Sequence, residues 1–248
     1  MHRFFVTEEA FEGEVVKITG SDFNHVSNSL RLKAGDEFIV SRGDGLDYTV
    51  EIREFAEDTV YAVIKDIKEN RSEPTINISL AQAIPKKGNM ELVVQKSTEI
   101  GVCKIIPIIT ERTIVKIDEK KQEKKIGRWQ KIAAEAAKQS RRGKIPSIEK
   151  VCSLRELYST FSAYDLVLIP WEEEERKGIR SVWQELKKRP QDLMIIIGPE
   201  GGFSAAEIET AKQYGGIPVT LGPRILRTET AGFVALAAIL YQAGELGG

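Results

Sequence analysis

The sequence predicts an α/β protein in two parts, a small N-terminal β-barrel over residues 1–72 and a larger domain of mostly parallel strands and helices over residues 73–248. Three observations carry that expectation. Residues 4–68 fall into short alternating segments separated by turn residues, the texture of half-buried strands. After Pro74 apolar strand runs alternate with helical patterns, as they do in βαβ units. Between the two textures lies a polar stretch, residues 68–74, with the composition of a connection.

In chain order, Glu14-Val15-Val16-Lys17-Ile18, Glu37-Phe38-Ile39-Val40, Tyr48-Thr49-Val50-Glu51-Ile52 and Thr59-Val60-Tyr61-Ala62-Val63-Ile64 read as barrel strands. Gly43-Asp44-Gly45 supplies a hairpin loop between the second and third. One helical candidate starts at Ser21 and continues towards Leu30. The second part opens with a strand over 76–83 and a helix over 89–100, which places Met90, Val93, Val94, Ser97 and Ile100 on one face and stops at Gly101. A strand over 103–109, a long basic helix over 121–141 and a helix over 154–161 follow. Further strands are expected over 165–169, 193–197 and 217–221. Ser204-Ala205-Ala206-Glu207 has the chemistry of a capping box opening a helix. Glu172-Glu173-Glu174-Glu175 reads as a solvated turn, and the last helix, Ala/Gly-rich from Ala231, fits either plain core or a close-packing subunit interface.

Composition removes several function classes. Cys103 and Cys152 are too few and too far apart for a disulfide scaffold, so a reducing cytoplasm is expected. The start, Met1 to Val6, runs into Glu8 and Glu9 rather than a long apolar stretch, so no export signal is expected, and the apolar run near 231–241 is too short to span a bilayer. The only histidines are His2 and His25. Residues 26–248 therefore cannot assemble a Ser-His-Asp triad, a Cys-His dyad or a His-ligated zinc from their own side chains, and no metal is expected. The net charge of −1 hides a basic segment: Lys116 to Lys144 holds eleven Lys and Arg against four acids. Such a concentration is a candidate footprint for a polyanion, and equally a solvated helix face.

Two loops carry the candidate chemistry. The strand over 193–197 runs into Gly198-Pro199-Glu200-Gly201-Gly202, and the strand over 217–221 into Gly222-Pro223-Arg224-Ile225-Leu226-Arg227-Thr228. Ligands of open α/β sheets bind at the carboxyl ends of strands, and glycines there let backbone groups approach without a Cβ in the way. Facing each other across adjacent strands, the loops could hold one ligand, with Ile225 and Leu226 backing an adenine ring. A tight turn without a ligand explains the first loop alone, and a helix N-cap explains Thr228 alone. Neither Gly-x-Gly-x-x-Gly after the first strand nor a Gly-x-x-x-x-Gly-Lys-Ser/Thr loop occurs, which leaves a nucleoside-like ligand lacking a polyphosphate.

Six ordered blocks then resemble one family closely. They are Gln95 to Val102, Pro107-Ile108-Ile109-Thr110-Glu111-Arg112, Arg128-Trp129, Glu135 to Arg142, the Gly198 loop and Leu226-Arg227-Thr228-Glu229-Thr230-Ala231. The chain resembles the RsmE family, 16S ribosomal RNA uridine-N3 methyltransferases of the SPOUT class. Arg3-Phe4-Phe5, His25, Leu30-Arg31-Leu32 and Gly35-Asp36 are similar to that family's PUA-like barrel, with Ser29 standing where the family usually has an apolar residue.

The resemblance implies a C-terminal trefoil knot, a homodimer and an S-adenosylmethionine site formed by Leu168, Ile197, Gly198, Glu200, Gly201, Leu221, Gly222, Ile225, Leu226 and Thr228. Periodicity by itself suggests an unknotted, doubly wound sheet, because true knots are rare. Methylating N3 of uridine requires a base that is protonated at neutral pH to react as a delocalised anion. Arg227 is expected to stabilise that anion and Glu200 to accept the proton, with Arg227 alternatively tied up in an ion pair to Glu200 or Glu229. Arg3, His25, Arg31, Lys96, Arg141 and Arg142 are the expected contacts to 16S rRNA or the small ribosomal subunit. A SPOUT enzyme acting on another base or a ribose 2'-hydroxyl would keep both loops, and a non-catalytic assembly factor would keep the basic helix without a donor.

Overall fold

The computed structural model describes residues 1–115 and 119–247; Lys116 and Asp118 of the basic segment lie outside the described residues. The chain divides into two compact units, Met1–Glu73 with Ala137–Ile145, and Pro74–Ala136 with Pro146–Gly248.

The first unit is a six-stranded sheet in the order β1-β4-β5-β6-β3-β2, built from β1 (Arg3–Phe5), β2 (Phe11–Glu12), β3 (Val15–Thr19), β4 (Glu37–Ser41), β5 (Leu46–Ala56) and β6 (Thr59–Glu69). All neighbours are antiparallel except β1 and β4. Alternation decides what is inside: Val16 and Ile18, Phe38 and Val40, Val50 and Ile52, and Val60 and Ala62 are buried, whereas their in-between neighbours are not. Phe4 from β1 joins the same cluster, so the sheet rolls its two ends around one core. The helical candidate is a short α1 (Gly20–Asn24) continued by a π-helical turn over His25–Ser29. That turn exits through Arg31 at φ 54°, a left-handed conformation that costs a non-glycine residue energy.

Residues 137–145, which the sequence reading assigns to the second domain, pack with this first unit. Glu73 receives the Arg142 guanidinium through Nε and Nη2 at 3.1 and 2.8 Å and the backbone N–H groups of Gly143 and Lys144 at 2.9 and 3.1 Å. Ser72 Oγ and Asn70 Nδ2 both donate to the Arg141 carbonyl. Asp47 accepts from Arg3 and from Asn70. Burial, the largest influence on the Asp47 carboxyl, works to raise its pKa, but the hydrogen bonds from Arg3 and Asn70 and the Arg3 charge outweigh it and hold the group below its ordinary value.

The second unit is a parallel sheet in the order β10-β8-β7-β12-β11-β13, with β9 beside β8. Its elements are β7 (Asn77–Ala83), α2 (Met90–Ile100), β8 (Lys104–Ile109), α3 (Glu119–Gln139), β9 (Ser147–Ile148), β10 (Cys152–Ser153), α4 (Leu154–Tyr158), β11 (Leu166–Pro170), α5 (Ile179–Glu185), β12 (Asp192–Ile197), α6 (Ala205–Gln213), β13 (Ile217–Val219) and α7 (Thr228–Gln242). β12 is a near-continuous apolar run, and β7 is buried along all but its first residue, because helices cover both faces of a parallel sheet. Each fully buried Ile or Leu on them contributes roughly 1.5–3 kcal/mol. Gly101 ends α2 at φ 124°, where a Cβ would come within 2.8 Å of the Pro74 ring. Ser204 caps α6 in a complete capping box with Glu207. α5 and the two-residue strands β9 and β10 have no counterpart in the sequence reading. On α3, Trp129, Ala133 and Ala136 form the buried stripe and Lys121, Lys124, Arg128 and Lys131 stand exposed.

Candidate active site

The loops following β7, β11, β12 and β13 all leave the sheet at its carboxyl edge, and they enclose a cavity of about 520 Å3, the size of a nucleoside-class ligand site. The two glycine loops do not follow adjacent strands as expected. β11 lies between β12 and β13, pairing Leu166 with Leu193 on one side and Leu168 with Ile217 on the other. Its own exit, Pro170-Trp171-Glu172, therefore joins the cavity wall between the two glycine loops.

Of the expected donor residues, Ile197, Gly198, Glu200, Leu221, Gly222, Ile225, Leu226 and Thr228 line the cavity, as does Arg227. Leu168 and Gly201 do not. Leu168 is 1% exposed in the middle of β11, too far down the strand to reach its end. Gly201 instead turns its carbonyl to Arg112, which donates from Nη1 at 2.8 Å and braces the loop from outside.

The Gly198 loop is fixed on two further sides. Glu200 Oε1 accepts the Lys86 backbone N–H at 2.8 Å, tying the loop to the exit of β7. Thr228 Oγ1 donates to the Gly198 carbonyl. Thr228 is thus no N-cap: Arg227 occupies the cap position, without a side-chain cap bond, and Thr228 is the first residue inside α7. A Cβ on Gly198 would lie 3.1–3.3 Å from the Phe203 ring, and Gly222 sits at φ 104°, so both glycines answer to geometry.

The wall mixes backbone groups and apolar side chains with balanced charge: Lys86, Arg224 and Arg227 against Glu172, Glu200 and Glu229. Glu229, 9% exposed, is engaged by the Asn89 side-chain amide at 3.3 Å. Arg227 is exposed and has no ion-pair partner among the described residues, so the expected alternative of a pair with Glu200 or Glu229 is not what forms. Glu172 belongs to more than a solvated turn, since its Oε1 lies 2.7 Å from where a Cβ on Gly202 would be. Lys86, Asn89, Trp171 and Glu172 were not singled out from the sequence, yet the strand-end rule that found Gly198 applies equally to the exits of β7 and β11.

The expected RNA contacts separate into two groups. His25, Arg31 and Arg141 are exposed, and Arg31 and Arg141 are the two non-glycine residues with positive φ among the described residues, at 54° and 61°. Lys96 is partly exposed and paired with Glu99 at 2.9 Å. Arg3 and Arg142 are otherwise employed: their side chains are 6% and 3% exposed and held by Asp47 and Glu73. A guanidinium so enclosed is a structural pin, because freeing it for a phosphate would strand a buried carboxylate.

Comparison with known proteins agrees with this geometry. Residues 71–240 match a family model described as an RNA methyltransferase domain, and residues 18–65 one described as an RNA methyltransferase PUA domain. The ribosomal RNA small subunit methyltransferase E of Bacillus subtilis (strain 168) is 37% identical over 255 residues, covering 100% of this chain and 99% of the relative. A ribosomal RNA small subunit methyltransferase E from Neisseria gonorrhoeae, solved bound to S-adenosyl methionine, superposes with a TM-score of 0.85 at 29% identity over 97% of both chains. A methyltransferase from Legionella pneumophila, solved with its cofactor SAM, gives 0.83 at 35% identity over 96% of both. The residues present fit that cofactor: Gly198 and Gly222 leave backbone open to a nucleoside, Ile225 and Leu226 supply apolar backing, and three carboxylates suit a donor carrying a sulfonium and an ammonium. The chain belongs to the ribosomal RNA small subunit methyltransferase E family of S-adenosylmethionine-dependent RNA methyltransferases.

Proposed function

We propose that this protein methylates N3 of a uridine in 16S ribosomal RNA, with the glycine loops after β12 and β13 holding the donor. When bound, S-adenosylmethionine supplies an electrophilic methyl group on its sulfonium sulfur. The chain has to exclude water, hold the base in line and manage one proton. The observation that carries the reading is Arg227, a cation without an ion-pair partner among the described residues, at the cavity wall one residue before Thr228. Its guanidinium stabilises the uridine anion on O2, N3 and O4. Glu200, whose Oε1 is anchored by Lys86, takes the N3 proton on its other oxygen.

His25, Arg31, Lys96 and Arg141 contact the RNA, whereas Arg3 and Arg142 stay paired with Asp47 and Glu73 inside the first unit. Phosphate contacts of this kind position the substrate, and the target base leaves its stack to enter the cavity. A C-terminal knot is supported by the path of the chain, which leaves β13 at one sheet edge and returns over 220–227 to α7, packed on β7 and β12. A homodimer is supported by the outer face of α7, where Val234 is 39% and Tyr241 64% exposed. No helix among the described residues is long and apolar enough to cross a membrane, and rRNA as the substrate supports a cytoplasmic location.

Reverse transcription across small-subunit rRNA from a deletion strain tests the reaction. A stop present in the parent and lost in the deletion, restored by the plasmid-borne protein, is the expected result, because N3 methylation blocks base pairing. Loss of a 2'-O-methyl group without any change in stops would assign the reaction to the ribose instead.

A further inference from the structure

Gln82 is fully buried on β7, and nothing in the sequence reading singles it out. A neutral amide in a core costs a few kcal/mol unless its polar atoms are paired, so a core position that an apolar residue would fill holds an amide for a reason. Gln82 Nε2 donates twice, to the Ala83 carbonyl at 3.0 Å and to Thr228 Oγ1 at 2.9 Å. Thr228 Oγ1 spends its single proton on the Gly198 carbonyl. The hydroxyl must then accept from Gln82, which fixes the amide orientation, since a flipped amide would set its oxygen against the Ala83 carbonyl.

We propose that Gln82 is a positioning residue of the donor pocket, setting the distance between the two glycine loops through Thr228. The reading of the cavity as the donor site underlies this inference. Gln82 sits opposite Ile197 in the β7–β12 register, one residue before Gly198, so it is anchored to the same ladder that launches the first loop. Thr228 opens α7 at the end of the second loop. The path from core amide to hydroxyl to Gly198 carbonyl therefore runs from one loop to the other, and Gln82 itself does not line the cavity.

A second observation shows that the arrangement is not optimised for stability. Gln82 Oε1 is buried without a hydrogen-bond partner among the described residues. It lies against Gly232 of α7, where a Cβ would come within 3.3 Å of it. An apolar residue of similar volume would remove the unpaired oxygen at no packing cost, yet would leave the Thr228 hydroxyl without its donor. Stability and donor binding are thus expected to separate on substitution, which a packing role for Gln82 would not produce.

The test uses Gln82→Met, Thr228→Val and the double variant, with S-adenosylmethionine titrated calorimetrically and hydrogen exchange measured on the donor-free protein. Gln82→Met should melt no lower than the unsubstituted protein, weaken donor binding about tenfold and speed exchange in the segment 198–202. Because Gln82 acts through Thr228, the double variant should bind no more weakly than Thr228→Val alone. Unchanged affinity and exchange in Gln82→Met overturn the inference, as do losses that multiply in the double variant. Should Gln82→Met fail to fold, unchanged exchange over 198–202 in Thr228→Val overturns it equally. If the unsubstituted protein gives no binding heat, the donor-site reading itself falls, an outcome distinct from equal binding by all variants.

Discussion

Arg227 is where chemistry and structure meet at a single residue. Its position at the cap of α7 sets a cation at the cavity wall with no ion pair among the described residues, whereas Glu229, two residues on, accepts from Asn89. Arg227→Ala is expected to lower kcat roughly 100-fold at saturating donor. The deficit should narrow as pH rises, because an N3 proton the enzyme no longer helps to remove is lost to solvent. Arg227→Lys should fall between, a point charge replacing a planar fork. Single-turnover kinetics across pH provide the measurement, and full turnover by Arg227→Ala would remove Arg227 from the reaction. At this scale the sequence makes the glycine loops legible, since glycine, proline and a strand end leave their mark in local pattern. It does not reveal Gln82, Glu172 or Asn89, whose roles come from neighbours far along the chain, nor that Arg142 is enclosed by Glu73.

Among the elements, hydrophobic patterning places the longer strands of both units and the buried face of α2 well, because burial of one face is what stabilises each of them. It fails for α5 and for the two-residue strands, which are too short to establish a period. It also fails for the order of β11, β12 and β13, because strand order is set by crossovers and not by any local signal. The segment 137–145 is the clearest case: the charge of Arg141 and Arg142 suggests a nucleic-acid surface, and only the carboxylate of Glu73 shows that half of it is internal. The Asp47 pair with Arg3 belongs to the same network and carries a pH dependence. A carboxyl held below its ordinary value contributes stability that is fully present above the unfolded-state pKa near 4 and is lost as pH falls through the folded value. Asp47→Asn should therefore flatten the acid end of the stability profile of the first unit. At neutral pH it should cost about 2 kcal/mol, the worth of hydrogen bonds between charged groups. Hydrogen exchange in β4 and β5, measured from pH 3 to 7, reads this unit separately, and an unchanged acid profile would show that Asp47 does not set it.

For the whole molecule, α7 raises the question of what covers its outer side. One face, Gly232, Ala235, Leu236, Ile239 and Leu240, is buried in the unit's own core. The opposite face holds Ala231, Val234, Ala238 and Tyr241, with no charged residue among them, and a helix apolar on all sides is not built to face water. Ile225, on the cavity wall, is 79% exposed, so the open side of the proposed donor site also presents an apolar side chain to solvent. A second copy of the chain packed on α7 would cover the first surface, and the implied homodimer would also close the second. Sedimentation equilibrium should give twice the 27.7 kDa chain mass for the unsubstituted protein. Val234→Glu puts a carboxylate in the middle of the stripe, where pairing would desolvate it, and should give the single-chain mass with an unaltered circular dichroism spectrum. If the partner completes the donor site, that monomer should also bind S-adenosylmethionine more weakly, although Val234 does not line the cavity. A Val234→Glu protein that remains dimeric would place the interface on another face, and a monomer with full donor affinity would confine the site to one chain.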